Sequence, residues 1–111
     1  MTEKMVERQC IKLYQTLHCD VVKFSQPHKA TGQTRGIADL LVYYKEHHWW
    51  HEVKRTGGKQ SPHQKYFQEM VESHGETYII GGLDAATKQL RIVGFAIGHP
   101  LRGTEKPPTS E

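Results

Sequence analysis

The sequence predicts one α/β domain in which a central mixed sheet is flanked by helices. Its 111 residues are the size of a single compact domain. Apolar residues recur with helical spacing in two segments, and short runs rich in β-branched and aromatic residues separate these segments and follow the second one. In chain order the segments read αβββαβ.

The first predicted helix covers residues 3–18. Apolar side chains recur there three or four positions apart, which is the pattern of one face of an amphipathic helix. The residues on this face are Val6, Cys10, Leu13, Tyr14 and Leu17. A β-branched run at 20–24 then predicts a strand that Pro27 ends, and a polar loop is expected at 26–36.

Two further β-rich runs, at 37–44 and 48–55, are predicted to form a hairpin because only a few polar residues separate them. The first run is apolar on both faces except at Asp39. Burying an unpaired carboxylate is costly, so this aspartate needs a partner or a function. Four aromatic residues flank the turn and predict cross-strand packing or, alternatively, a contact with a second subunit. They are Tyr43, Tyr44, Trp49 and Trp50.

A second helix is predicted to begin at Ser61-Pro62, because serine before a helix and proline at its first position are start signals. Its apolar face continues to the end of the helix, which Gly75 marks. The residues of this face are Phe67, Met70, Val71 and His74. Residues 77–80 then predict another strand.

The C-terminal part of the sequence has weaker patterns. Residues 83–89 predict a short helix, and residues 90–97 predict a final strand. The remainder contains several prolines and few apolar residues, which is typical of disorder. The expected organisation is therefore a domain at 1–98 and a disordered tail at 99–111.

Composition permits a polyanionic partner without requiring one, since 15 Lys and Arg against 12 Asp and Glu give a formal net charge of +3. No apolar run of about 18 residues is present and the first residues are charged, so we expect a cytoplasmic protein, in the host cytoplasm if it is viral. Cys10 and Cys19 form no CxxC pair and are expected to be free thiols. A zinc site at His47, His48 and His51 with Cys19 is disfavoured, because this spacing matches no zinc-ligand pattern.

Asp39, Glu52 and Lys54 form the candidate reaction centre. Residues two apart on a strand share a face, so Glu52 and Lys54 project together, and the hairpin brings Asp39 alongside. The two carboxylates and the Val53 carbonyl are the hard oxygen ligands that Mg²⁺ or Mn²⁺ prefers. With the Lys54 ammonium to stabilise developing charge, they suit phosphodiester hydrolysis. The alternatives are an aspartate that accepts backbone hydrogen bonds and a solvated strand face for the other two residues.

Further short motifs accompany this centre. They are Glu7, Lys23-Phe24, Gly36-Ile37-Ala38-Asp39-Leu40, Glu52-Val53-Lys54 and Ser61-Pro62-His63-Gln64. In this order the motifs resemble the virus-type replication-repair nuclease (VRR-NUC) domain of the PD-(D/E)xK nuclease superfamily, over residues 5 to about 85. The resemblance implies a restriction-endonuclease-like α/β fold with an αβββαβ core. The family usually has proline before the aspartate, and Ala38 stands there instead. Because that proline restricts φ without binding a ligand, we expect Ala38 to affect rigidity more than activity.

The resemblance also implies roles for individual residues. Asp39, Glu52 and the Val53 carbonyl would bind the metal, and Lys54 would be the catalytic lysine. Two further roles come from the resemblance alone. Glu7 would reach the metal through water, and Gln64 would be an accessory active-site residue.

Both accessory assignments have structural alternatives. Ser61-x-x-Gln64 is also a capping box, in which the glutamine bonds back to the serine amide. Glu7 lies at the edge of the apolar face, where a surface glutamate would be ordinary.

The resemblance implies a substrate and an assembly as well. Stand-alone members of the family resemble phage Holliday-junction resolvases that act as homodimers, which predicts branched DNA as the substrate. Members fused to larger DNA repair proteins act on flaps. A flap nuclease, an RNA-directed nuclease and a non-catalytic nucleic-acid-binding module of the same fold therefore remain as alternatives.

Basic residues in loops and at strand ends surround the predicted centre. They are Lys23, Lys29, Arg35, Arg55, Lys59 and Lys65. Contacts from these residues to phosphates predict salt-sensitive binding that is largely independent of base sequence. The loops at 26–36 and 56–60 are expected to hold the nucleic acid.

Overall fold

A four-stranded mixed sheet is the centre of the structure, a computed structural model that describes residues 1–24 and 34–97. The elements in chain order are α1 (Glu3–Thr16), β1 (Asp20–Lys23), β2 (Leu40–Tyr44), β3 (His47–Val53), α2 (Pro62–Ser73), β4 (Thr77–Gly81) and α3 (Leu83–Ile92). The strands lie side by side in the order β1-β2-β3-β4. The β1–β2 and β2–β3 pairs are antiparallel, and β4 runs parallel to β3. The predicted αβββαβ order and the α/β class are confirmed.

The β2–β3 hairpin determines where the candidate residues lie. Its strands are joined by a turn at 45–46, and their register pairs Leu40 with His51. Asp39 directly precedes Leu40, and its side chain accepts a hydrogen bond from the Val53 amide at the end of β3. The Asp39 carboxylate therefore lies beside the end of β3, at the residue that follows Glu52 in the chain.

Helices cover both faces of the sheet. The core on one face packs β2 and β3 against α1 and α3, and a second core packs the other face against α2. Residues of β3 alternate between the two: Trp49 and Val53 lie in the first core, while Trp50 contacts a phenylalanine of α2 edge to face. Of the four aromatic residues that flank the turn, Trp49 and Trp50 are therefore packing residues. Glu52 shares the α2 face with Trp50.

Helix α1 is amphipathic, as predicted, and ends two residues earlier than expected. The Thr2 hydroxyl caps it by accepting a hydrogen bond from the Met5 amide at 3.1 Å. Its buried face includes Glu7 and Tyr14. Cys10, on the same face, is buried and free, as is Cys19, which confirms the prediction of free thiols.

The predicted strand at 90–97 is wrong. Helix α3 continues to Ile92, and Leu90 is a fully buried residue of its inner face. The amides of Gly94 and Phe95 bond back to helix carbonyls, and Gly94 adopts a positive φ of 115°. Glycine reaches this conformation without steric cost, so the chain ends the helix in a Schellman motif rather than extending into a strand.

Some predictions lie outside the described residues. These are the disordered tail at 99–111 with the domain boundary before it, the position of Lys29, and most of the loop at 26–36. Within the part of the chain that is described, no helix is long and apolar enough to cross a membrane.

Candidate active site

Asp39 is held between the neighbouring strands at the start of β2. Its Oδ2 accepts a hydrogen bond from the Val53 amide at 2.8 Å, and its carbonyl accepts one from the Phe24 amide at 2.7 Å. Val53 ends β3 and Phe24 follows β1, so Asp39 is fixed relative to both strands that flank β2. Asp39 therefore does accept a backbone hydrogen bond, as the alternative interpretation of this residue predicts.

Glu52 is a fully buried carboxylate, so the interpretation as a solvated strand face is wrong for it. Its Oε1 accepts hydrogen bonds from the Tyr78 hydroxyl and from Gln60 Nε2, the latter at 3.0 Å. Its Oε2 lies 3.7 Å from Lys54 Nζ and has no hydrogen-bond partner among residues 1–24 and 34–97. The Lys54 side chain is only 12% exposed. A buried charge of this kind needs a cation close by.

The electrostatics of Asp39 show that several charges converge here. The pKa of this carboxyl is raised to about 6, first by burial and then by the negative charges of Glu7 and Glu52. The Val53 amide and the Lys54 ammonium act in the opposite direction. Since like charges in a shared site disfavour each other, a cation among these oxygens would relieve the repulsion.

Glu7 reaches the site from α1. It is 7% exposed, which excludes the interpretation as an ordinary surface glutamate. Its Oε2 lies 3.2 Å from Lys23 Nζ, and its charge acts on Asp39. Two of the predicted residues, one acidic and one basic, are thus paired with each other.

The oxygen donors present fit a hard divalent cation. Glu52 Oε2 is a buried anionic oxygen, and the Asp39 carboxylate is held beside the end of the same strand by the Val53 amide. Carboxylate oxygens are the type of donor that Mg²⁺ or Mn²⁺ takes. Within the described ranges, no group of three or more His, Cys, Asp or Glu side chains converges as a metal site. Asp39 and Glu52 would therefore need a backbone oxygen and waters to complete the coordination.

Gln64 acts as a helix cap in this structure. Its Oε1 accepts a hydrogen bond from the Ser61 amide at 2.8 Å, and its own amide donates to Ser61 Oγ at 3.2 Å. Both halves of the capping box are present. A second role in the chemistry stays a prediction.

His51 stabilises the strand ends that carry Glu52 and Lys54. Its Nε2 lies 2.8 Å from the Gly81 carbonyl and its Nδ1 lies 2.7 Å from the Tyr14 hydroxyl. A carbonyl can only accept, so Nε2 carries the proton and Nδ1 accepts from Tyr14. Burial lowers the pKa of His51 to about 4, which keeps it neutral. The Gly81 carbonyl also accepts from the Lys54 amide, so one oxygen connects β4 with the end of β3.

Sequence reasoning missed Tyr78 and Gln60. Tyr78 was an apolar member of a predicted strand, and Gln60 belonged to a loop with no secondary-structure pattern. No sequence signal links either of them to Glu52, because the contacts depend on β4 lying beside β3 and on the path of the loop. Burial and the hydrogen bond to Glu52 raise the pKa of Tyr78, so its hydroxyl is a donor at neutral pH.

The predicted phosphate-binding residues are exposed, as far as they are described. Arg35, Arg55, Lys59 and Lys65 are exposed, and Lys23 is 51% exposed. Arg35 Nη1 lies 3.3 Å from Nε2 of His63, in the first turn of α2.

Comparisons with known proteins agree with this architecture. No protein-family model matches the chain, and no curated protein matches it. A solved structure described as a VRR_NUC domain is similar, with a TM-score of 0.64 and 25% sequence identity. The similarity covers 80% of this chain and 94% of that one. The fold expected from the short sequence motifs is therefore confirmed.

Proposed function

We propose that this chain, whose fold is similar to that of a VRR_NUC domain, is a Mg²⁺- or Mn²⁺-dependent endonuclease that hydrolyses phosphodiester bonds of branched DNA. The observation that carries this proposal is the carboxylate of Glu52. It is fully buried, and within the described ranges its Oε2 has only the Lys54 ammonium as a close neighbour of opposite charge. An apolar side chain would fill this position at lower cost if it served only packing.

The metal would be bound by Asp39, Glu52 and the Val53 carbonyl, with Glu7 contacting it through water. When bound, it would supply Lewis-acid polarisation of the scissile phosphate and acidify an attacking water. Glu52 lies in β3 and Asp39 directly precedes β2, where hydrogen bonds to the Val53 and Phe24 amides fix it, so their spacing does not depend on flexible loops. Such rigidity keeps donors in place without reorganisation during the reaction.

Lys54 would stabilise negative charge in the reaction, and Glu7 would orient the attacking water. Hydrolysis forms a bond between a water oxygen and phosphorus and breaks the bond to the leaving sugar oxygen. The Lys54 Nζ would donate a hydrogen bond to the phosphate as negative charge develops on it. Glu7 Oε2 would accept a hydrogen bond from the water that attacks, once Lys23 exchanges its contact with Glu7 for a phosphate.

DNA would be held through its backbone. The exposed basic residues flank the site on the loop after β3 and on the first turns of α2. Phosphate contacts of this kind do not depend on base sequence, so the substrate would be selected by the shape of the DNA. A Holliday-junction resolvase that acts as a homodimer suits such selection, because a junction presents two equivalent strands to a two-fold assembly.

The proposal is tested by cleavage assays with a four-way junction, a flap, a duplex, single-stranded DNA and RNA, each in Mg²⁺, Mn²⁺ or EDTA. We expect cleavage of the junction in either metal and none in EDTA. Glu52→Gln and Lys54→Met should lower the rate by about 10³-fold or more, since they remove transition-state stabilisation. Glu69→Gln and Lys88→Met change exposed residues of the same types and should leave the rate unchanged.

Other outcomes would correct the proposal at different levels. Preference for the flap or for RNA would replace the substrate and keep the chemistry. Full activity of Glu52→Gln, or cleavage in EDTA, would overturn the metal-dependent mechanism. Binding without any cleavage would indicate a non-catalytic module of the same fold.

A further inference from the structure

We propose that Tyr78 and Gln60 are positioning residues that direct Oε2 of Glu52, and not Oε1, toward the metal. This inference rests on the proposed function, because it assigns roles at the same site. Neither residue belongs to the motifs that identified the site, and both act through Glu52 rather than on the substrate.

The two hydrogen bonds to Glu52 end on the same oxygen. Tyr78 and Gln60 both donate to Oε1, and a carboxylate oxygen has two lone pairs to offer in its plane. Oε1 is therefore fully used by protein donors. In the described part of the chain, Oε2 has no such donor, and Lys54 Nζ at 3.7 Å is its charged neighbour. Protein donors thus hold Oε1 of the carboxylate, and Oε2 is the oxygen that remains for the metal.

The amide of Gln60 has one permitted orientation. Its Nε2 also donates to Oε1 of Gln68 at 2.9 Å, and Nε2 of Gln68 donates to Oε2 of Glu72 at 3.1 Å. An ionised carboxylate at each end of this series can only accept, so both amides must point their NH₂ groups as described. Rotation of either amide would set oxygen against oxygen. The series therefore anchors Glu52 of β3 to helix α2.

Tyr78 fixes the same oxygen from the neighbouring strand. It lies in β4, which is hydrogen-bonded to β3, and it is only 8% exposed. Its ring packs in the core with Phe67 and Val71 of α2, so the hydroxyl has little freedom to leave Glu52. A phenylalanine would keep this packing and remove only the donor.

The test is calorimetric titration of Mn²⁺ into the nucleic-acid-free protein. Residues that orient a metal ligand typically change metal affinity by about 10- to 100-fold when they are removed. We expect a loss of this size for Tyr78→Phe and for Gln60→Leu. Tyr66→Phe and Gln15→Leu make the same chemical changes at exposed positions and should bind Mn²⁺ as the wild type does.

The outcomes separate this inference from the proposed function. Wild-type affinity in folded Tyr78→Phe and Gln60→Leu would overturn the positioning role and leave the metal site intact. Absence of Mn²⁺ binding by the wild-type protein would overturn both. A merely structural role would lower the melting temperature in EDTA and leave the affinity of the folded protein unchanged, and Glu52→Gln supplies the reference for a lost ligand.

Discussion

Asp39 carries its charge at a cost in the metal-free protein. Burial raises the pKa of its carboxyl to about 6, with repulsion from Glu7 and Glu52 as further causes. The folded protein therefore binds a proton at Asp39 more tightly than the unfolded chain does. It follows that Asp39 opposes folding above pH 6 and that this opposition fades as the pH falls from about 6 toward 4.

We expect Asp39→Asn to be more stable than the wild type in EDTA. At pH 7.5 the gain in the free energy of unfolding should be about 1–2 kcal/mol, after discounting for the partial exposure of the side chain. The gain should shrink as the pH falls from 6 to 4, and Mn²⁺ should stabilise only the wild type. Urea unfolding followed by tryptophan fluorescence measures this, with Asp84→Asn on the surface of α3 as the control. A variant that is less stable than the wild type at pH 7.5 would contradict the electrostatics described for this site.

Residues of the candidate centre differ in how far sequence could predict them. Asp39 interrupted an apolar run, and Glu52 and Lys54 were two apart on a strand, so local patterns were enough to bring them together. Tyr78 and Gln60 were missed because their partner is reached through the sheet order and the loop path, which no local pattern encodes. Gln64 was predicted as a cap or an active-site residue, and the structure shows the cap.

At the level of elements, the segment before β2 packs directly on the first turn of α2. Gly36 has a φ of +75°, and a Cβ added there would lie 2.3 Å from the carbonyl carbon of His63. Only glycine allows this approach without strain. The contact connects the segment that carries Asp39 to the helix that carries Gln64 and Gln68.

Gly36→Ala should therefore be far more harmful than the same change at Gly75. Gly75 also has a positive φ, but a Cβ there meets nothing within 4 Å among the described residues. We expect Gly75→Ala to cost about 1 kcal/mol from backbone strain alone. Gly36→Ala should cost roughly 2 kcal/mol more, because the methyl group overlaps with backbone atoms. Chemical denaturation of the two variants measures the difference, and equal losses would show that the contact with α2 is not tight.

The elements themselves were largely predictable. Helical spacing and start signals located α1 and α2, and β-branched runs located all four strands to within a few residues. The end of α3 was not predictable in the same way, because Leu90, Ile92 and Val93 suit a strand as well as a helix. Packing of Leu90 in the core and the left-handed turn at Gly94 decide the outcome, and both are properties of the folded chain.

Across the whole molecule, exposed basic residues lie on both faces of the sheet. Lys59 follows β3 and is exposed there, while Lys88 is exposed on α3 at the opposite face. If the site binds a nucleic acid backbone, the two lysines should contribute differently to binding.

Lys59→Met should weaken binding to DNA of any sequence and reduce the slope of log affinity against log salt concentration by about 1. Lys88→Met should change neither quantity. Fluorescence anisotropy of a labelled junction across a salt series, in Ca²⁺ or EDTA to prevent cleavage, measures both variants. Equal slopes for Lys59→Met and the wild type would place the DNA elsewhere on the surface.

The overall fold followed from the order of short motifs, and the structural neighbour confirms it. Oligomeric state and substrate shape did not follow from local patterns, since both depend on surfaces that the chain presents only after folding. Tyr43 is 42% exposed in the hairpin, so one of the four aromatic residues predicted as a possible dimer contact remains accessible.

The central claim is that Glu52 and Asp39 hold a divalent cation, and a crystal structure of Mn²⁺-soaked protein tests it most directly. The anomalous difference map should show one dominant peak bonded to Glu52 Oε2 and to a carboxylate oxygen of Asp39, and the Glu52→Gln protein should lack that peak. A peak bonded to other residues, or Glu52 still facing only Lys54 at saturating Mn²⁺, would contradict the claim.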